Sequence, residues 1–218
     1  MRSLLCLLLA LLCPLASAAE VFRSQETRTT LLELYTSEGC SSCPPADRWY
    51  SGLVDHPQLW QGLVPVAFHV DYWNYLGWKD RFADPDHSRR QRLYRQLDIT
   101  SGVYTPGVIA AGEEWRGWRW QRDRIPRSRA TPGILQVNRD GTRFSASFSG
   151  SDTASELTLA VLGFGLTTDV GAGENVNRQL SHDFVVLAAE RYEGAQGRWH
   201  GDLPEVPGNE TPSRWALA

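Results

Sequence analysis

Apolar residues along the chain gather into short runs between turn residues, the spacing of buried strands rather than long amphipathic helices. Thr29 to Thr36 is mostly apolar and predicts a strand covered on both faces, ended by the turn Ser37-Glu38-Gly39. From Pro44 the pattern becomes helical: proline is tolerated in a first turn, Asp47 suits the positive end, and Trp49, Leu53 and Val54 share one face. Leu63 to Val70 predicts a second buried strand, with Pro65 near its start. Asp84-Pro85-Asp86 opens a polar helix to about Leu97, and Thr105-Pro106 precedes a third strand at Val108-Ile109-Ala110. Strands separated by helical segments predict a parallel or mixed α/β sheet here.

The second half differs. Gly133 to Asn138, Asp140-Gly141 and Thr142 to Phe148 alternate about a turn that favours positive φ, the clearest hairpin signal in the chain. Leu157 to Leu166 and His182 to Arg191 predict two further strands, joined by a Gly/Asn-rich loop from Asp169 to Asn177. No helical pattern follows residue 130, and the Arg/Pro/Ser stretch Arg124 to Arg129 reads as a boundary. Two domains are expected, over residues 19–125 and 130–218, the second an all-β module.

Met1-Arg2, the apolar run Leu4 to Leu12 and the small-residue site Ala16-Ser17-Ala18 read as a signal peptide over residues 1–18, cleaved near Ala18. The expected destination is secreted or periplasmic. The run falls short of the roughly 20 residues that span a bilayer, so no membrane span is expected. Removal of the leader takes Cys6 and Cys13 with it and leaves Cys40 and Cys43. The net charge of −3 gives no broad footprint for nucleic acid. Trp115, Trp118 and Trp120, interleaved with Arg116, Arg119, Arg122 and Arg124, therefore read as a domain interface or solvated edge. Gly163-Phe164-Gly165 and Gly171-Ala172-Gly173 complete no nucleotide fingerprint, and no cofactor is expected. Asn209-Glu210-Thr211 is formally a glycosylation sequon but reads as loop.

Cys40-Ser41-Ser42-Cys43 lies where the first predicted strand passes into the first predicted helix. At a helix N-terminus the unpaired N–H groups and the dipole favour a thiolate, so a partly exposed Cys40 is the expected nucleophile and Cys43 the resolving thiol in thiol-disulfide exchange. An inert disulfide is the alternative, although a four-residue loop yields only about 2 kcal/mol in the chain-entropy picture. A second class of reading is a non-enzymatic copper- or partner-binding protein, in which Cys40 and Cys43 would hold Cu(I) with His69, the histidine standing at the end of the second strand. Asp71, Tyr72, Trp73 and Trp78 form a loop too aromatic for an ordinary turn; they are candidate substrate-groove residues, with Asp71 as proton acceptor for Cys43, or else packing over the sheet.

A strand ending in Cys-x-x-Cys, a helix beginning with the second Cys and a distant Thr-Pro before a later strand resemble the thioredoxin superfamily. More narrowly, Glu33 to Asp47, His69 to Trp73, Leu76 to Asp80, Tyr104-Thr105-Pro106, Gly173-Glu174-Asn175 and Leu180 to Val186 resemble blocks of an exported family known as domain of unknown function 1223. The resemblance implies an α/β fold: a thioredoxin-like domain followed by a smaller all-β, sandwich-like domain. It also implies a cis Thr105-Pro106 bond facing the cysteines, where Thr105 and Pro106 would pair with a substrate strand; the redox reading of the cysteines makes protein or small-molecule thiols and disulfides the expected partners. Glu113 to Arg129 departs from the pattern, being rich in Trp and Arg where a thioredoxin fold places its closing helix.

Overall fold

The computed structural model describes residues 19–150, 153, 156–208, 210 and 212–218; the expected leader, and Asn209 and Thr211 of the sequon, lie outside them. After β1 (Glu20–Arg23), the apolar run forms β2 (Thr30–Thr36), with Leu32, Leu34 and Tyr35 buried. α1 (Pro44–Ser51) follows the cysteines, with Cys43 as its N-cap residue. β3 (Leu63–His69) lies parallel to β2 in register from Thr30 opposite Leu63 to Thr36 opposite His69. Pro65, opposite Leu32, has no N–H for the ladder. Tyr50 of α1 reaches into this place, its hydroxyl accepting from Val66 N–H at 2.9 Å and donating toward the Leu32 carbonyl.

α2 (Pro85–Gln96) opens with Asp84 accepting from the Asp86 N–H. It supplies the partner of a buried charge: Glu33, inside β2 and 1% exposed, accepts from Arg90 Nε at 2.8 Å, Arg90 Nη2 at 3.1 Å, Tyr94 at 2.6 Å and Tyr35 at 2.9 Å. Next come β4 (Gly107–Ala110), antiparallel to β2, and β5 (Glu113–Glu114) at the sheet edge. β6 (Leu135–Asp140) and β7 (Arg143–Phe148) form the hairpin expected about Asp140-Gly141.

Long β8 (Glu156–Phe164) is followed by the small pair β9 (Leu166–Asp169) and β10 (Gln179–His182), then by β11 (Val185–Glu193), β12 (Arg198–Asp202) and β13 (Arg214–Leu217). Among the described residues three sheets result. Seven strands run in the order β13-β8-β11-β3-β2-β4-β5, four in the order β1-β6-β7-β12, and β9 pairs β10. No helix among the described residues is long and apolar enough to cross a membrane.

The expected fold class is overturned. Instead of an α/β thioredoxin-like domain and a separate sandwich-like module, the described residues are mostly strand, in three sheets, with only two α-helices. Two physical causes are visible. Glu113 to Arg129 supplies no closing helix, only β5 and a 3-10 turn at Gly117–Arg119 that buries Trp118. The second half does not keep its strands to itself: Leu159 to Phe164 of β8 is buried on both faces, as only a central strand can be, and β11 docks beside β3 with Val185 opposite Ala67. β1, from the first half, completes the sheet of the hairpin by pairing with β6.

Removing Arg90 would leave the Glu33 carboxylate buried with only tyrosine donors. Arg90→Ala is expected to lower unfolding free energy by about 3 kcal/mol in urea titration, a larger loss than for the double change Arg90→Met with Glu33→Gln, which removes both charges.

Candidate functional site

β2 ends at Thr36 and the chain turns through Ser37-Glu38-Gly39, with Gly39 N–H donating to Ser37 Oγ at 3.1 Å. A Cβ on Gly39 would stand 3.0 Å from that of Trp73, so the aromatic loop can close on this turn only where the side chain is absent. Cys40 and Cys43 are joined as a disulfide with Cα atoms 5.5 Å apart, and Pro44 and Pro45 start α1 directly behind it. The sulfurs are not exposed as expected: Cys40 is 1% accessible and Cys43 0%, while Ser41 and Ser42 between them face solvent. Ser42 Oγ lies 3.3 Å from Cys40 Sγ and 3.5 Å from the carbonyl of Thr105.

The Thr105-Pro106 bond is cis. Trp73 Nε1 donates to Thr105 Oγ1 at 2.7 Å, so the aromatic loop fastens this segment beside the cysteine turn. Tyr72 donates to Gln91 of α2 at 3.0 Å, and Gln91 in turn donates to the Tyr104 carbonyl at 2.6 Å. Trp78 Nε1 donates to Glu38 at 2.8 Å. Tyr72, Trp73 and Trp78 are half-buried. Asp71 belongs elsewhere: it accepts from the Ser88 hydroxyl of α2, and no bond joins it to Cys43.

A second set of groups lies buried near the exit of β2, bringing His69 and Asp47 together with Glu38, Asp80 and His182, to which sequence reasoning gave no role. Asp80 accepts from the Glu38 N–H at 2.9 Å, the Phe82 N–H at 3.0 Å and His69 Nδ1 at 2.7 Å. His182 of β10 stacks edge-on to His69, ring centres 4.8 Å apart, with its Nε2 3.4 Å from Glu38. Asp47 of α1 accepts from Thr36 at 2.7 Å through one oxygen while its other has no partner. Burial drives the Asp47 carboxyl above its ordinary pKa, against the nearby His182 and the Thr36 hydrogen bond. Burial alone would depress His69, but the charge and hydrogen bond of Asp80, with Asp47 and Glu38 beyond, raise it. Asp80 also loses solvation, yet His69 and the two backbone N–H donors hold its carboxyl below the usual range. His69 is thus committed to Asp80 rather than to the cysteines. Among the described residues no group of three or more His, Cys, Asp or Glu is arranged to hold a metal ion.

The loop between β9 and β10 closes the site from the far side. Gly171 and Gly173 pass against the Trp78 ring and stem. Asn175, fully buried, donates through Nδ2 to the carbonyls of Glu38 at 2.8 Å and Cys40 at 2.9 Å, and its own carbonyl accepts from Arg178 at 2.8 Å. Glu174 accepts from the Ser41 N–H at 2.9 Å, and Ser41 holds its carboxyl below the ordinary pKa. The segment Gly173 to Arg178 is a strap fastened to the backbone of the cysteine turn. Gly173-Glu174-Asn175 and His182 stood out as motif blocks, but their spacing gives no sign that they meet residues more than a hundred positions earlier.

A family model described as a protein of unknown function, DUF1223, matches residues 31–214. The crystal structure of protein AGR_C_4864 from Agrobacterium tumefaciens is similar, at 26% identity and a TM-score of 0.62, over 83% of this chain and 80% of that one. HBP35 of Porphyromonas gingivalis aligns at 12% identity and a TM-score of 0.44, over 84% of this chain and 66% of that one. No curated protein matches the chain.

Because the folded chain raises the pKa of Asp47 above its unfolded value, ionising this residue costs stability as pH rises through that interval. Asp47→Asn keeps the acceptor for Thr36 and removes the charge. It is expected to raise Tm at neutral pH, by about 2–4 °C for each kcal/mol recovered, with the gain disappearing below the ordinary aspartate range in a pH series of thermal unfolding.

Proposed function

The chain belongs to the DUF1223 family, and from that premise we propose that its Cys40–Cys43 disulfide is a redox pair that exchanges with thiols, making the protein a thiol-disulfide oxidoreductase. The observation that carries this reading is the place of the disulfide: it closes a turn running into α1, with the Ser42 hydroxyl 3.3 Å from Cys40 Sγ. A thiolate at Cys40 would gain that hydroxyl as a donor. As a structural link the disulfide adds little, because β2 and α1 are already bound through Tyr50 and through the Thr36–Asp47 hydrogen bond.

In the exchange, a substrate thiolate attacks Cys40 Sγ, the Cys40–Cys43 bond breaks, and Cys43 leaves as a thiolate that takes up a proton. A second substrate thiolate attacks the mixed disulfide and releases the oxidised substrate, leaving Cys40 reduced. Two thiols become one disulfide, and the protein gains two electrons and two protons. Burial of both sulfurs makes this conditional on movement of what covers them. The strap at Glu174 and Asn175, held by side-chain bonds to the cysteine turn, is the segment whose release would open it. The reaction is proposed for an oxidising compartment, secreted or periplasmic, after cleavage near Ala18.

Cys43→Ser leaves Cys40 with no internal partner and is expected to accumulate a mixed disulfide on Cys40 when incubated with a disulfide-bonded peptide, read by mass spectrometry. Asn175→Ala is expected to speed reduction of the native disulfide by dithiothreitol about tenfold, since it removes two hydrogen bonds to the cysteine turn. A Cys40 that forms no adduct, together with a native disulfide that dithiothreitol reduces only on global unfolding, would return the pair to a structural role.

A further inference from the structure

Beside the cysteine turn lies a cleft of about 280 Å³ lined by Tyr104, Pro106, Arg116, Trp118, Arg119 and Trp120. Its connection with the disulfide is direct. Pro106 is in its wall, and the carbonyl of the preceding Thr105 stands 3.5 Å from Ser42, which itself touches Cys40. We propose that this cleft docks an acidic polypeptide segment carrying the cysteine that exchanges with the Cys40–Cys43 pair; the inference rests on the redox reading above and supplies its substrate class.

Charge points to the occupant. The protein has a net charge of −3, yet from Arg116 to Arg129 six arginines stand with Asp123 as the only acidic residue. Around the cleft the two guanidinium groups have different duties. Arg116 is fixed, donating to Ser101 at 2.6 Å and to Glu114 at 3.2 Å, and lies 5.6 Å from the Tyr104 ring centre. Arg119 lies 5.3 Å from the centre of the Trp118 ring and pairs with no carboxylate among the described residues. Held on an aromatic face with its donors unused, it suits a bidentate carboxylate. Trp118 cannot yield, being 6% exposed and stacked on Trp49, and Arg122 donates to its carbonyl at 3.0 Å. Trp120 by contrast is 69% exposed at the rim. An exposed tryptophan beside an unpaired arginine on a rigid aromatic floor is the composition of a protein-binding hot spot. Open to solvent on this side, it suits a peptide better than a small molecule that must be enclosed.

The test separates docking from exchange. A fluorescein-labelled peptide of alternating Glu and Ser, with no cysteine, is titrated with the oxidised protein, followed by anisotropy, and compared with its Gln-for-Glu and Lys-for-Glu counterparts. The Glu peptide is expected to bind about tenfold more tightly than the Gln peptide, with affinity falling as NaCl is raised. Arg119→Glu, at an exposed position, should abolish that preference, and Trp120→Ala should weaken binding of the Glu peptide. Equal binding of Glu and Gln peptides, an Arg119→Glu variant that keeps the preference, or tighter binding of a single-stranded oligonucleotide or phosphatidylglycerol vesicles would overturn the proposal. Cysteine-containing versions, supplied as disulfide-linked peptide dimers, are then followed for mixed-disulfide formation on Cys43→Ser, in which the Cys40 thiolate attacks the peptide disulfide and releases one peptide as its thiol. Charge-selective docking without any adduct would sink the redox reading and leave the docking site standing; adducts without charge preference would do the reverse.

Discussion

Asp80 is the hinge pin of the site. At 1% exposure, a carboxylate is tolerated only if its oxygens are occupied, and this one is met by the Glu38 N–H, the Phe82 N–H and His69. Those three donors come from the turn after β2, the aromatic loop and the last residue of β3, so one buried charge draws together three stretches of chain. The position of Glu38 determines where Gly39 and Cys40 fall. Asn74 Oδ1 accepts from the Asp80 N–H, tying the loop that carries Tyr72 and Trp73 to the same point. That anchor works together with the packing of Tyr72 and Trp73 against the core.

Around this pin the molecule keeps more ionisable groups out of water than packing requires. Glu38, Asp47, Asp80, His69 and His182 are all buried, and atoms of four of them have no hydrogen-bond partner. Such an arrangement is a poor way to gain stability, since well-packed apolar residues would serve as well or better. Contrast Glu33, where every donor within reach is used and the result is a joint between sheet and helix. The incomplete satisfaction near the disulfide, against the complete satisfaction at Glu33, marks the first cluster as the place where the fold has given up stability.

The local parts of this architecture are legible in the chain. The strand before the cysteines, the helix opened by Pro44 and Pro45, the capped helix after Asp84 and the Asp140-Gly141 hairpin each depend on neighbours in sequence, and each is found. What is hidden is the partner of each strand. An apolar run such as Leu159 to Phe164 declares that both its faces will be covered, but not that β11 beside it will reach β3. The site divides the same way: the two cysteines announce themselves by spacing, whereas Asp80, His182 and Asn175 arrive through contacts that only the folded sheet creates. The strap follows the same rule, since the Asn175 side chain that bonds to the backbone of the cysteine turn comes from the far half of the chain.

The seam between β3 and β11 bears on how the chain reaches this state. Val185 opposite Ala67, with the Ala67 N–H donating to the Phe184 carbonyl at 2.8 Å, is where the strands carrying the cysteine turn meet those made last. During synthesis β3 emerges with β2 already available on one side and more than a hundred residues to wait on the other. For that interval its outer edge is a bare ladder of the kind that recruits foreign strands. The cysteine turn is therefore born on an unfinished sheet, ahead of the distant residues Glu174 and Asn175 that bond to its backbone.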